Sequence, residues 1–309
     1  MSEKKFFSYD KQLNLLERKG LEIPDRDEAI RLLKEHSYFD LINGYKYPFK
    51  KEDGNYKLHT TFEDIHLLYC FDDDIRFALI RAIMEVEIHI KSLLSYAFCE
   101  RFGSDEVQYL NPDNYNCLSD EAFQKFKGIV QNTLNNCDKF SYMKHQKDMY
   151  GNVPLWVLVK ALTFGTISKM YSFQKPQIQA QICKEFTGVN ENALETFLDL
   201  LTRFRNVCAH NERLFDYKYN KHGIVDTDIH AKLKIEKKKV QYIKGKSDFF
   251  AALIALKYLL SKDSFNMLID DIDNSMKQLF NSTHQIQSKQ LYKYMGLPTN
   301  WHEIRDIEI

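Results

Sequence analysis

The chain has 309 residues, of which 44% are hydrophobic and 28% are charged, a composition typical of a globular protein and unlike a disordered one. Its 43 basic and 43 acidic residues cancel, so any affinity for nucleic acid must come from a local cluster of charge. No apolar run is long enough for a transmembrane helix, and the first residues lack the hydrophobic core of a signal peptide.

The six cysteines are scattered without a CxxC spacing, which favours reduced thiols in a cytoplasmic protein over a zinc site. There is no Gly-rich phosphate loop, DxD cluster or His-rich spacing, so we expect neither a metal nor another cofactor. Only six prolines and eleven glycines occur, and this scarcity favours long helices over sheets and turns.

Residues 1–60 are predicted to form an N-terminal helical and aromatic segment. A helix begins at Asp25, with Glu28 three residues later as a capping-box partner. The aromatic stretch SYFDLINGYKYPFK follows. Its aromatics alternate with lysine and could stack on bases, but packing onto the main body is the favoured interpretation.

A long helix is expected next, beginning either near Phe62 or at the acidic cluster 72–74 and ending near Arg101. Apolar residues within it repeat at steps of three and four, the pattern of a helix that faces a core. Glu85 and Glu87 lie on this helix. They belong either to a solvated face or to a site in which one of them orients an arginine.

Several further helices are predicted before residue 215, and they share apolar periodicity or a capping residue. They comprise a helix at 120–136, a buried helix within the apolar run NVPLWVLVKALTFGTISKMYSFQ, a helix at 176–187, and a helix at 190–214 capped by Asn190.

The segment 231–246 holds seven lysines against one glutamate, and its alternation predicts extended structure with a short β-hairpin. Its lysines are either a solvated face or a patch that binds an RNA backbone, and both interpretations stay open. The candidates for RNA contact are Lys232, Lys234, Lys237, Lys238 and Lys239.

The last part of the chain is predicted to hold an apolar helix at 247–262 and an amphipathic tail to about Phe280. It ends in the docking segment LYKYMGLPTNWHEI, with Trp301 as its anchor. We therefore divide the chain into the N-terminal segment, a helical domain at 61–285 and a C-terminal docking tail at 286–309.

The most informative run is RFRNVCAHNERLF at 203–215. On an ideal helix Arg203, Asn206, His210 and Arg213 fall within one narrow stripe. Imidazole titrates near neutrality and guanidinium offers planar forks to phosphate oxygens, so the stripe suits a bound phosphodiester. The run predicts a metal-independent ribonuclease, and the alternative is a surface face or a buried polar network.

One arginine does not fit this stripe. Arg205 lies about 140° from His210 around an ideal helix. Either the helix deforms at this point, or Arg205 points across an interface.

Five blocks resemble, in the same order, those of the Abi-like (AbiD/AbiF) abortive-infection proteins, over about residues 9 to 303. The blocks are SYFDLINGYKYPF, RFALIRAIMEVEIHIKSLLSYAF, PLWVLVKALTFGTISKMY, RFRNVCAHNERLF and MGLPTNW. That family is similar to the HEPN superfamily, so the resemblance implies an all-α, HEPN-like helical bundle.

The resemblance also implies chemistry, because HEPN ribonucleases carry an arginine, four to six residues and a histidine. Here Arg205, Asn206 and His210 match that motif with four residues intervening. The implied activity is endonucleolytic RNA cleavage through the 2′-hydroxyl, leaving a 2′,3′-cyclic phosphate. His210 would transfer protons, Arg205 would stabilise the phosphate in the transition state, and Asn206 would orient the imidazole.

Arg203, Asn211 and Arg213 are expected to contact or support the RNA. HEPN sites usually combine two motifs and this chain has one, so the resemblance implies a homodimer. The expected function is anti-phage defence by an RNA-cleaving toxin. The alternatives are a protein that holds a structured noncoding RNA, as partner or regulator, without cleaving it, and a scaffold that senses a phage component.

Overall fold

The computed structural model describes residues 5–117, 119–221 and 223–309. Within them the regular elements are helices and one two-stranded antiparallel sheet, which confirms the predicted all-α class. The α-helices are α1 (Tyr9–Glu17), α2 (Arg26–His36), α3 (Phe62–Phe102), α4 (Glu106–Tyr109), α5 (Asp120–Asn135), α6 (Ser141–Tyr150), α7 (Leu155–Ala161), α8 (Phe164–Ser172), α9 (Pro176–Cys183), α10 (Glu191–Ala209), α11 (Asp228–Lys232), α12 (Phe249–Leu259), α13 (Lys262–Ser282) and α14 (Ser288–Met295).

The long helix α3 is the centre of the bundle, and α7, α9, α10 and α13 pack against it. It begins at Phe62 because Thr61 and Asp64 form a reciprocal capping box. The Asp64 amide donates to the Thr61 hydroxyl at 3.1 Å, and the Thr61 amide donates to the Asp64 carboxylate at 2.7 Å. The acidic cluster 72–74 therefore lies inside the helix and does not start it.

The apolar run that was expected to form one buried helix forms two, α7 and α8. The chain is extended at Leu162, and the Thr163 hydroxyl then accepts a hydrogen bond from the Thr166 amide at 3.2 Å. The prediction of a single helix was wrong because this threonine caps a new helix in the middle of an apolar segment.

The helix α10 begins at its predicted cap, since the Asn190 side chain accepts a hydrogen bond from the Ala193 amide at 2.8 Å. It buries the expected apolar side, including Phe197 and Leu201, and runs beside α3. It ends at Ala209, five residues before the predicted end at 214.

The segment 231–246 contains the predicted hairpin, although the hairpin is very short. Strand β1 (Lys237–Lys238) pairs with β2 (Gln241–Tyr242), while the residues just before it belong to α11. The five candidate lysines of this segment are exposed. No helix in the described residues is both long and apolar enough to cross a membrane.

The C-terminal tail docks on the bundle through Trp301, which is fully buried in the apolar core as predicted. A glycine is required at position 296, in the segment that leads to Trp301. It has φ +73°, and a Cβ there would lie 2.3 Å from the carboxyl group of Asp248. Asp248 cannot move away, because it accepts hydrogen bonds from the amides of Gly245 and Ala251, each at 3.0 Å, and so caps α12.

Candidate functional site

The end of α10 sets the position of the candidate histidine. His210 is the C-cap residue of α10, and its amide donates to the Asn206 carbonyl at 2.9 Å. Asn211 then adopts a left-handed conformation with φ +54°, and the Glu212 amide donates to the Val207 carbonyl at 3.0 Å. This is a Schellman-type ending, for which asparagine is one of the few suitable residues. Asn211 therefore terminates the helix just behind His210.

Arg213 lies beyond this ending, so the predicted four-residue stripe is wrong in its last member. Its Nη1 donates to the Gly44 carbonyl at 2.6 Å, and its Nε donates to the Asp216 carboxylate at 2.6 Å. The guanidinium also stands 5.1 Å from the centre of the Tyr47 ring. Arg213 thus holds the N-terminal aromatic segment against the loop after α10. Of its guanidinium nitrogens, Nη2 has no partner in the described chain.

His210 and Asn206 lie one helical turn apart on the same face of α10, and both are exposed. Neither side chain forms a hydrogen bond or ion pair with the described part of the chain. The imidazole is consequently free to accept a proton from a ligand at the end of the helix, or to donate one to it.

Arg203 stands one turn before Asn206 and is held in place on the same side. Its guanidinium lies 3.6 Å from the Asp199 carboxylate and 5.5 Å from the centre of the Tyr219 ring. The Tyr219 hydroxyl donates to that carboxylate at 2.8 Å. The arrangement leaves 43% of the Arg203 side chain exposed, so part of its fork can reach a phosphate.

Arg205 faces α3 and not the His210 side. The helix stays regular through Ala209, so the angular separation of Arg205 from His210 is real and no deformation removes it. Its Nε lies 3.8 Å from the carboxylate of Glu87, which also pairs with Lys91 at 2.7 Å. Of the two glutamates considered on this helix, Glu87 is therefore the one next to a candidate arginine.

A buried network that sequence reasoning missed holds the loop after His210. The Asp72 carboxylate accepts hydrogen bonds from the amides of Leu214 and Phe215 at 2.9 and 2.6 Å. It also accepts from Tyr45 at 2.7 Å and from Arg76 at 2.6 Å. Burial raises the pKa of Asp72 to about 6, against the opposing effect of Arg76. The sequence signal that could have revealed this network is an acid and a base, Asp72 and Arg76, four residues apart on the buried side of α3.

We expect Asp72→Ala to lower the free energy of unfolding by about 3 kcal/mol or more, because it leaves two buried amides and part of the Arg76 fork unpaired. The matched control is Asp73→Ala. Asp73 also pairs with Arg76, at 2.7 Å, but its side chain is 36% exposed, so its removal should cost less than about 1 kcal/mol. Urea unfolding measures both, and equal losses would contradict the role given to Asp72.

The motif also contains a thiol, that of Cys208. Burial raises the pKa of Cys208 to about 12, and the nearby Asp72 carboxylate acts in the same direction. The thiol is therefore protonated near neutrality, as expected for a packing residue. In the described residues no group of three or more His, Cys, Asp or Glu side chains is arranged to hold a metal ion.

Comparison with known families gives a match to the model described as Abi-like protein, over residues 31–216. The chain belongs to the Abi-like protein family. No match was found among curated proteins or among solved structures.

The Abi-like match includes all of α3 and α10 and the whole motif run 203–215. It stops before the lysine segment 231–246 and the tail, and is narrower than the range over which the sequence blocks resemble the family. Membership supports an association with abortive-infection defence. It also places the Arg205–His210 region, and not the lysine hairpin, in the part shared with the family model.

Proposed function

We propose that this Abi-like protein is a HEPN-type, metal-independent RNA endonuclease that acts in abortive infection. The observation that carries the proposal is the exposed imidazole of His210, which is free of partners in the described chain and stands one turn from Asn206. The HEPN assignment rests on the Arg-x4-His spacing and on the resemblance of the sequence blocks.

The proposed step is an attack of the RNA 2′-hydroxyl on the adjacent phosphorus. The 2′-oxygen loses its proton, the bond from phosphorus to the 5′-oxygen breaks, and that oxygen gains a proton. The products are a 2′,3′-cyclic phosphate and a 5′-hydroxyl end. An imidazole can act as a general acid or a general base, and His210 is placed to perform one of the two proton transfers.

The phosphorane that forms during this step carries additional negative charge. A guanidinium has the planar, permanently charged fork that stabilises such oxygens, and Arg205 is given this role. Glu87 is buried beside Arg205 and restrains its direction. Asn206, on the His210 face, is given the role of orienting the imidazole or the phosphate.

Within one chain, Arg205 and His210 lie on different sides of α10. The exposed surface beside Arg205 favours a homodimer in which Arg205 of one protomer approaches His210 of the other. Phe77, Met84 and Ile88 form an apolar stripe on α3, and they are 68%, 51% and 68% exposed. The stripe is next to Glu87, the contact of Arg205. A two-fold interface here would bury it and bring the α10 helices of two protomers together.

We therefore expect Ile88→Glu to convert the dimer into monomers and to lower RNA cleavage by at least about tenfold, because a buried unpaired carboxylate opposes association. Val107→Glu is the matched control, since Val107 is 75% exposed on α4 and lies outside the stripe. Sedimentation and light scattering report the mass of each variant. A monomeric wild-type protein with full activity would exclude this interface.

The direct test of the function is incubation of the purified protein with end-labelled RNA in EDTA, followed by analysis of the product ends. Cleavage with cyclic phosphate ends supports the proposal, and a strict metal requirement contradicts it. Intact RNA that co-purifies and leaves in high salt would instead favour the second candidate, a protein that holds a noncoding RNA. The exposed run of Lys237, Lys238 and Lys239 is the observation that favours this candidate.

A further inference from the structure

A polar groove of about 560 Å³ lies between α8 and α10 and reaches Arg203 and Asn206. Its α10 wall consists of residues spaced by three and four, from Asn192 to Asn206, so it is one face of the helix. The next residue on that face is His210. The groove therefore runs along α10 for roughly 20 Å, and its end at Asn206 lies one helical turn from the candidate histidine.

The charges of the groove differ from those of a simple phosphate-binding surface. Lys169 and Lys221 supply positive charge at its walls, while Glu195 and Asp199 supply negative charge between them. Asp199 is already engaged by Tyr219 and Arg203. Glu195 is exposed and forms no hydrogen bond or close ion pair with the described residues, so one carboxylate in the groove is available to a ligand.

The floor of the groove has unused hydrogen-bonding capacity. Thr202 lines the groove, is 93% buried, and its hydroxyl has no partner among the described residues. The Nε of Arg203 is also buried without a partner in that part of the chain. Because a buried polar atom without a partner is costly, these atoms suggest that a polar ligand completes the site.

We propose that this groove binds an unpaired guanine nucleotide of the RNA next to the cleaved phosphate. The inference rests on the proposed function, since it assigns the groove to the RNA whose phosphate meets His210. Guanine presents two adjacent N–H donors, at N1 and N2, on its Watson–Crick edge, and both oxygens of the Glu195 carboxylate can accept them. Lys169 and Lys221 then serve the flanking phosphates, and unpaired bases leave this edge free for the protein.

The test measures binding in a His210→Ala background, which prevents cleavage during the measurement. Labelled oligouridines carrying one central guanine, adenine or cytosine are titrated at physiological salt and followed by fluorescence anisotropy. We expect the guanine oligonucleotide to bind about tenfold more tightly than the others. Adding Glu195→Gln should remove this preference, because the amide presents one acceptor oxygen where the carboxylate presents two.

The matched control is Glu52→Gln, which changes an exposed carboxylate in the loop before α3 that does not line the groove. It should keep the preference for guanine. Equal binding of all oligonucleotides, or a preference that survives Glu195→Gln in a protein with wild-type thermal stability, would overturn the inference.

The two proposals can fail separately. Cleavage by the wild-type protein without any guanine at the mapped product ends would overturn the groove assignment and leave the ribonuclease in place. Selective guanine binding without cleavage by the wild-type protein would overturn the ribonuclease and support the groove.

Discussion

Replacing His210 with alanine should lower the rate of RNA cleavage in EDTA by at least about a hundredfold, because the substitution removes a general acid or base from the reaction. The fold should be unchanged, since the imidazole is exposed and only the backbone of His210 takes part in ending α10. Measuring cleavage under single-turnover conditions separates the chemical step from product release.

His145→Ala is the matched control for this substitution. His145 is exposed on α6 and its side chain has no hydrogen bond or ion pair in the described chain. We expect wild-type cleavage from it. Loss of activity in both variants would point to a nonspecific effect, and full activity in His210→Ala would remove the histidine from the mechanism.

The helices were largely predictable from sequence because two local signals act together. Apolar periodicity indicated α3, α10 and α13, and capping residues located several of their first turns. Asn190 is one example, and Asp25 is another, since its carboxylate accepts a hydrogen bond from the Glu28 amide at 2.9 Å. The exception was Thr163, whose capping role is hidden inside an apolar run.

The site was less predictable because its geometry depends on where α10 ends. A helical stripe through Arg213 assumes that the helix continues, whereas α10 ends at Ala209, five residues before the predicted end, and Asn211 turns the chain into the left-handed conformation. Arg213 then meets Gly44, which is 169 residues away in the chain. A contact between residues so far apart in the chain leaves no periodic pattern in the sequence. The same is true of the hydrogen bond between Asp72 and Leu214.

The separation of Arg205 from His210 has a testable consequence for the assembly. If each site used both residues of one chain, a mixture of two inactive variants would stay inactive. If a site combines Arg205 of one protomer with His210 of its partner, a mixed dimer carries one intact pair. The regular helix through Ala209 and the apolar stripe next to Glu87 favour the second arrangement.

We therefore expect Arg205→Ala and His210→Ala each to be inactive alone and to recover activity when mixed. With random exchange of subunits, half of the dimers are mixed and each carries one of two intact pairs, so the recovered rate should approach about a quarter of the wild-type rate. The subunits are exchanged by mild unfolding and refolding of an equimolar mixture, and cleavage is then measured in EDTA.

The control mixes Arg205→Ala with a protein carrying both substitutions, which restores no pair and should stay inactive. A mixture of the two single variants that is no faster than this control would show that Arg205 and His210 do not act across the interface.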